Sequence, residues 1–259
     1  MENVAITQVT PQNAKEETLF CVKDVKSTAF ACKHQWYTER YAEGLRINIL
    51  KGDKNRMIGF IEYVPAQSAW RPVDGPDFMF IHCMYVYSKK DRNQGYGSLL
   101  VEECEKQALA NGMSGVCVMA SKGSWMADSD IFAKNGYQVV DTRGRFDLLS
   151  KKWNSKASDP KLRDWERQQS QYQGWHLIYA DQCPWHEKSV EAMLHAAADF
   201  EVDLKVEKLN TAEEAKNAPS GFGVFSLMHD GKLVEDHYLS GTRFRNILKK
   251  KHTLGQASQ

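Results

Sequence analysis

The 259-residue chain has no excess of either charge, with 34 Lys and Arg against 33 Asp and Glu. A nucleic-acid backbone or an anionic membrane surface is therefore not an expected partner. No run approaches the roughly 18 consecutive apolar residues of a membrane span. The opening MENVAITQVTPQ also lacks a basic stretch followed by an apolar core, so a cytoplasmic location is the expectation. The six cysteines (Cys21, Cys32, Cys83, Cys104, Cys117, Cys183) show no short paired spacing, which argues against a disulfide framework and a zinc ribbon. No metal site is expected, and Cys104 and Cys117 read as small buried hydrophobes.

What is present is an ordinary globular composition, 42% hydrophobic and 26% charged, long enough for two domains. Up to about Ser150 strand and helix signals alternate. VAITQV reads as a strand, Thr10 as a cap with Pro11 at the first helical position, and STAFACKHQWYTERYAEG as a helix closed by Gly44. LRINIL and MIGFIEYV read as strands joined near Gly52-Asp53, and DFMFIHCMYVY is the most strand-like run. After the next helix come GVCVMA, a short helix capped by Asp128, and the strand pair YQVVDT and RFDLLS. This order implies locally parallel pairing through a right-handed crossover.

Residues 151–173, nearly devoid of aliphatic side chains, mark a linker between a first domain (1–150) and a second (174–259). The second repeats the alternation on a smaller scale, with a hairpin at Asp230-Gly231 and a final helix in TRFRNILKKK.

The most informative stretch is Arg92-Asn93-Gln94-Gly95-Tyr96-Gly97, followed by Ser98 and an apolar helical face of Leu99, Leu100, Val101, Cys104 and Ala108. Two glycines at a helix mouth carry a stability cost. They let successive amides converge on an anion at the positive end of the helix dipole. A Walker loop needs Lys-Ser/Thr after its last glycine, and a dinucleotide fingerprint needs a third glycine; neither is present. Glycines at helix starts also serve purely steric ends, and that reading stays open from these residues alone.

The Arg-x-x-Gly-x-Gly run after a strand resembles the (Gln/Arg)-x-x-Gly-x-(Gly/Ala) signature of the GNAT superfamily of acyl-CoA-dependent acetyltransferases, and IFAKNGYQVV resembles its closing element. With GFIEYVPAQSAW, FIHCMYV and QCP, the chain is similar to GNAT acetyltransferases that carry a C-terminal YoaP-like domain. The resemblance implies an α/β (α+β) fold: a splayed mixed sheet flanked by helices, followed by a smaller thioredoxin-like α/β domain. It implies acetyl-CoA as cofactor, with pyrophosphate on Arg92, Asn93, Gln94, Gly95, Tyr96, Gly97 and Ser98, and the pantetheine arm beside Tyr85 and Val86. It also implies direct transfer to a small amine or amino-acid-like acceptor.

Such transfer needs a neutral amine, a polarised carbonyl and a proton for the leaving thiolate. Glu62, flanked by apolar residues, is the first candidate for the base, with burial expected to raise its pKa; a solvent-facing strand residue is the alternative. His82 is the second candidate or a hydrogen-bonded core residue, and Cys83 is a candidate acyl carrier. Phe132 stands where many GNAT members place a proton-donating Tyr, which leaves Tyr85, Tyr87, Ser121 or water for that role and keeps a non-catalytic acyl-CoA-binding protein open. Trp70 and Arg71 are placed on a loop over the acceptor, where Arg71 suits a carboxylate.

In the second domain CPWH resembles a glutaredoxin-like active turn with His186 in place of the second cysteine. A helix N-terminus and an imidazolium at His186 would stabilise a Cys183 thiolate, so a monothiol redox protein is a further alternative, beside a site for a thiol-bearing or metal-bearing substrate and a thiol that only packs under the loop. Pro219 is the candidate for the cis-proline of such folds.

Overall fold

The computed structural model describes residues 3–123 and 125–256. The first part of the chain runs β1 (Ala5–Val9), α1 (Ala14–Glu17), α2 (Thr28–Tyr41), β2 (Arg46–Lys51), β3 (Met57–Pro65), β4 (Val73–Asp74) and β5 (Phe78–Val86). It continues through α3 (Tyr96–Ala110), β6 (Gly115–Ala120), α4 (Ser129–Lys134), β7 (Gln138–Arg143) and β8 (Phe146–Lys152). Thr10 and Asn13 exchange side-chain to backbone hydrogen bonds across Pro11, and the regular helix α1 begins after them. Ser27 caps α2 by accepting from the Phe30 amide, and Asp128 caps α4 by accepting from Asp130.

Seven strands form one mixed sheet in the order β1-β2-β3-β5-β6-β8-β7. Alternation along β3 sends Ile61 and Tyr63 to one face, where Ile58 joins them across a register shift and α3 packs Leu100, Val101 and Cys104. Phe60 and Val64 go to the other face, under Phe30, Trp36 and Tyr37 of α2. β5 and β6 are parallel, but their pairing ends at Ile81↔Val118 although β5 runs on to Val86. The sheet is therefore splayed beyond Ile81, which leaves one backbone edge of β5 without a strand partner there.

The segment after β8 is ordered and adherent. β9 (Lys161–Leu162) pairs with β4, Trp165 is buried against Phe146, and Arg163 bonds both Asp74 and Glu213. It leads into β10 (Trp175–Tyr179), α5 (Trp185–Asp199), β11 (Leu204–Lys208), α6 (Ala212–Lys216), β12 (Phe225–His229), β13 (Lys232–Glu235) and α7 (Gly241–Gln256). This second sheet has the order β11-β10-β12-β13, with β10–β11 parallel and the other pairs antiparallel. There is no cis peptide bond among the described residues, so Pro219 is a buried trans proline and the cis-proline expectation is corrected.

A single apolar cluster runs from Phe30, Trp36 and Trp70 through Phe146 and Trp165 to Phe222, Phe225 and Leu177. The two parts of the chain thus share a core, because the α2 face of the first sheet is covered partly by the second domain.

Candidate active site

The splay between β5 and β6 opens into a cavity of about 670 Å³, walled by Phe60, Glu62, His82, Cys83, Met84 and Tyr85 on the strand side. The second domain supplies Gln182, Cys183, Trp185, His186, Phe222 and Tyr238. Sequence reasoning placed the chemistry on β3 and β5; it did not foresee that a wall of the same cavity comes from residues 120 positions further along.

The β3–β5 ladder slips at this point, with Glu62 opposite Cys83 and Tyr63 opposite Ile81, so His82 is the extra residue of a β-bulge. The bulge brings His82 and Cys83 together beside Glu62. Glu62 is only 1% exposed, so it does not face solvent. Its carboxylate accepts from Lys33 Nζ at 2.5 Å and from Gln182 Nε2 at 2.8 Å, and His82 Nδ1 lies 3.3 Å from Oε1. Lys33 also donates to the Gln182 carbonyl at 2.6 Å. Lys33 and Gln182 were both missed. For Lys33 a signal existed, a cation on the apolar stripe of α2 between Phe30 and Trp36, whereas Gln182 carried none.

The expectation that burial raises the Glu62 pKa is overturned. Burial does push it up, but the Lys33 charge and the His82 contact outweigh it and hold the group at about 2. His82 is also corrected as a base. Burial lowers its pKa, and its Nε2 lone pair is taken by the Trp70 amide at 2.8 Å, which leaves the ring proton on Nδ1 toward Glu62. Cys83 is not an activated nucleophile, since burial, with Glu62 and Cys183 adding to it, pushes its thiol up to about 12.

The glycine loop stands beside the cavity. Asp91 is buried and paired with Arg56, anchoring the loop to the β2–β3 turn. Arg92 Nη2 reaches the Tyr85 hydroxyl at 3.3 Å. Gly95 caps α3 with φ +82°, and a Cβ built there meets nothing within 4 Å. Gly97 has a different reason, because a Cβ there would sit 3.2 Å from Ile131 of α4. Asn93, Gln94 and Gly95 are exposed, and Ser98 accepts from Asn135. Val86 pairs with Gly59 and is not a cavity wall. Ser121 accepts from Arg145 and does not line the cavity, while Phe132 does, fully buried.

The second-domain thiol departs from the thiolate reading and agrees with that of a packed thiol. Burial raises the Cys183 pKa, and the Trp185 amide and Lys33 offset this only in part. His186 is 1% exposed and donates from Nδ1 to the Ala180 carbonyl. Burial holds its pKa at about 4, so it is a neutral imidazole and supplies no cation for a thiolate. Alkylation of Cys183 in the full chain, followed by peptide mass spectrometry across pH, is expected to show a midpoint at or above the free value of about 8.5. A midpoint below about 7.5 would restore the thiolate reading.

These shifts also set an acid limit on stability. An unfolded histidine titrates near pH 6.5, so burying His186 neutral contributes stability that is full above about 6.5 and lost as pH falls toward 4. Glu62, depressed to about 2, contributes stability that is full above about 4.5 and lost below it. Each is worth on the order of 3 kcal/mol. Urea unfolding at pH 7.5, 5.5 and 4 should show the first loss, and a flat profile would contradict the neutral His186.

Trp70 and Arg71 do not form an exposed lid. Trp70 is core, edge-on to Trp36 at 5.2 Å, and Arg71 is 3% exposed under the second domain, its guanidinium 4.4 Å from the centre of the Phe222 ring.

A splayed mixed sheet with a glycine-led helix beside the split is the arrangement that the sequence resemblance implies for the first part of the chain. Comparison with known proteins gives family matches for two segments. Residues 13–125 match the acetyltransferase (GNAT) family model, and residues 203–246 match the YoaP-like model. The chain therefore carries a GNAT acetyltransferase domain followed by a YoaP-like domain, the latter match starting beyond Cys183. A Bacillus subtilis (strain 168) protein described as an uncharacterized N-acetyltransferase YoaP is 28% identical over 247 residues, 93% of this chain and 97% of the relative. Among solved structures, the PaiA N-acetyltransferase of Thermoplasma acidophilum in complex with coenzyme A is similar at 17% identity and TM-score 0.39, over 58% of this chain and 99% of that one. An N-acetyltransferase from Staphylococcus aureus Mu50 is similar at 13% identity and TM-score 0.42, over 58% and 98%. No described helix is long and apolar enough to cross a membrane.

Proposed function

We propose that the chain transfers an acetyl group from acetyl-CoA directly to the nitrogen of a small amine or amino-acid-like acceptor held between the two domains, in the cytoplasm. The observation that carries this is the unpartnered β5 edge beyond Ile81 next to the open Gly95 loop. The residues fit the cofactor: the free amides at the start of α3 and Arg92 suit a pyrophosphate, and the bare β5 edge near Tyr85 suits a pantetheine amide. Bound acetyl-CoA supplies the thioester; the protein supplies position and polarity.

The β5 amides polarise the carbonyl. Two of the roughly four acceptor positions of Glu62 are filled by Lys33 and Gln182, and His82 Nδ1 faces a third from 3.3 Å without a formed hydrogen bond. The remaining one holds the acceptor nitrogen, or a water that takes its proton, as the N–C bond forms and the C–S bond breaks. With a pKa near 2 this carboxylate orients rather than deprotonates. Tyr85, exposed on β5, lining the cavity and touched by Arg92, offers a hydroxyl to the departing thiolate. We read residues 1–150 as the transferase domain, 151–173 as the connector and 174–259 as a thioredoxin-like domain, on the strand order of its sheet.

The test is release of free CoA thiol from acetyl-CoA over a panel of amines and amino acids, alongside the thermal shift given by acetyl-CoA. Phe132 supports a second reading, an acyl-CoA-binding protein without turnover. A full thermal shift with no acceptor-dependent CoA release would favour it.

A further inference from the structure

Glu62 is held from both domains, and each hold takes a different oxygen. Oε2 accepts from the Lys33 ammonium of α2 at 2.5 Å, and Oε1 accepts from the side-chain amide of Gln182 at 2.8 Å. The main chain of Gln182 adds a third contact, since its carbonyl accepts from the same Lys33 ammonium at 2.6 Å. Gln182 therefore spans the ion pair, with its side chain on the anion and its backbone on the cation. Lys33, Glu62 and Gln182 are all buried, and all three wall the cavity. Take the Gln182 amide away and, among the described residues, Oε1 is left facing His82 Nδ1, 3.3 Å away and without a formed hydrogen bond. The carboxylate is then pinned at one oxygen and free to turn about that contact.

From this two-point hold we propose that Gln182 of the second domain is a positioning residue for acetyl transfer, its amide fixing the plane of the Glu62 carboxylate so that the free lone pair points at the acceptor nitrogen. The proposal deepens the acetyltransferase reading and rests on it. Ionisation of Glu62 does not wait on Gln182: burial works against the charge, and Lys33 overrides it. What the amide adds is direction, because hydrogen bonds at a carboxylate oxygen weaken as their angle departs from the lone pair. A misplacement of about 1 Å in a positioning group costs about 10²-fold in rate. The second domain can hold this amide in place because the turn around it is itself fastened. Asp181 pairs with Lys208, and the Ala180 carbonyl accepts from His186 Nδ1. Cys183, Trp185 and His186, directly after Gln182, wall the same cavity. The turn that meets the acceptor is thus the one that aims the carboxylate, and the active site is incomplete without the second domain.

The experiment uses the full chain, acetyl-CoA and a panel of primary amines and L-amino acids, read as acceptor-dependent release of CoA thiol. Gln182→Met keeps the side-chain length and the backbone contact to Lys33 and removes only the donor. Its kcat should fall about 10²-fold while the KM for acetyl-CoA and the thermal shift given by acetyl-CoA stay level. Gln182→Glu sets a second carboxylate against Oε1. Two buried carboxylates sharing a site resist double ionisation, so one proton is held well above the usual carboxylate range. It sits on residue 182, since Lys33 keeps Glu62 charged, and there it restores a donor. The rate of Gln182→Glu relative to the native chain should therefore climb as pH falls from about 8.5 to about 6. The other titratable groups that face Glu62 or feel its charge are common to both chains: Lys33 and Tyr37 of α2, His82 and Cys83 of β5, Cys21, Arg71 and Cys183. The ratio thus isolates residue 182, and a merely structural glutamine would give a loss that does not vary with pH. Gln182→Glu also serves where Gln182→Met does not fold. Native turnover in folded Gln182→Met, a loss carried by the KM for acetyl-CoA, or a pH-independent ratio for Gln182→Glu overturns the positioning role and leaves the transferase reading standing. Absence of acceptor-dependent CoA release from the native chain overturns the transferase reading and the role together.

Discussion

Glu62→Gln is expected to lower turnover by about 10²-fold with little change in acetyl-CoA affinity, because an orienting contact is lost rather than a base. The glutamine keeps the shape but cannot hold a charged or partly charged nitrogen as strongly, and its amide hydrogens now point at donors. The same change leaves Lys33 buried without its counter-ion. That situation typically costs about 3–5 kcal/mol, so the variant should also be markedly less stable. Lys33→Met combined with Glu62→Gln separates the two effects: stability should return in large part, because no unpaired charge remains, while turnover stays low. The measurements are CoA release with the best acceptor and urea unfolding of the three variants. Full activity in a folded Glu62→Gln protein would remove Glu62 from the chemistry and leave the network as architecture.

Replacing Gly95 with valine should abolish the response to acetyl-CoA. Gly95 has φ +82°, where a β-branched L-residue is strained by about 1–2 kcal/mol. Its missing Cβ faces open space, so the unliganded fold can absorb the change. What the valine fills is the approach to the free amides of α3. At a ligand concentration about 100 times its dissociation constant, the roughly 2.7 kcal/mol of added stability should vanish. Gly95→Asn separates strain from obstruction, since asparagine tolerates the left-handed conformation but still places atoms on that approach. An undiminished thermal shift in Gly95→Val would take the loop out of the site.

Much of the framework was determined by local chemistry that the sequence displays on its own. Alternation in GFIEYV placed a strand under Glu62, the left-handed glycine marked the start of α3, and Ser27 and Asp128 capped the helices that follow them. These are short-range effects, set by backbone sterics and side chains within a few residues, and they need no partner from elsewhere. The glycine loop was legible for the same reason.

The protonation states were decided only by the tertiary structure. A carboxylate on an apolar strand can be raised or lowered in pKa, and which occurs depends on a cation 29 residues away on α2 and an amide from the second domain. Cys183 and His186 lie three residues apart at a helix start that favours a thiolate, yet the aromatic wall of Phe222 and Phe225 around His186 desolvates the imidazole and keeps it neutral. Arg71, an ordinary loop arginine by sequence, became a buried unpaired charge because the loop carrying Phe222 and Gly223 closes over it. Desolvation and charge pairing are sums over everything within several ångströms in space, and residues that meet across two domains leave no periodicity in the sequence to announce it.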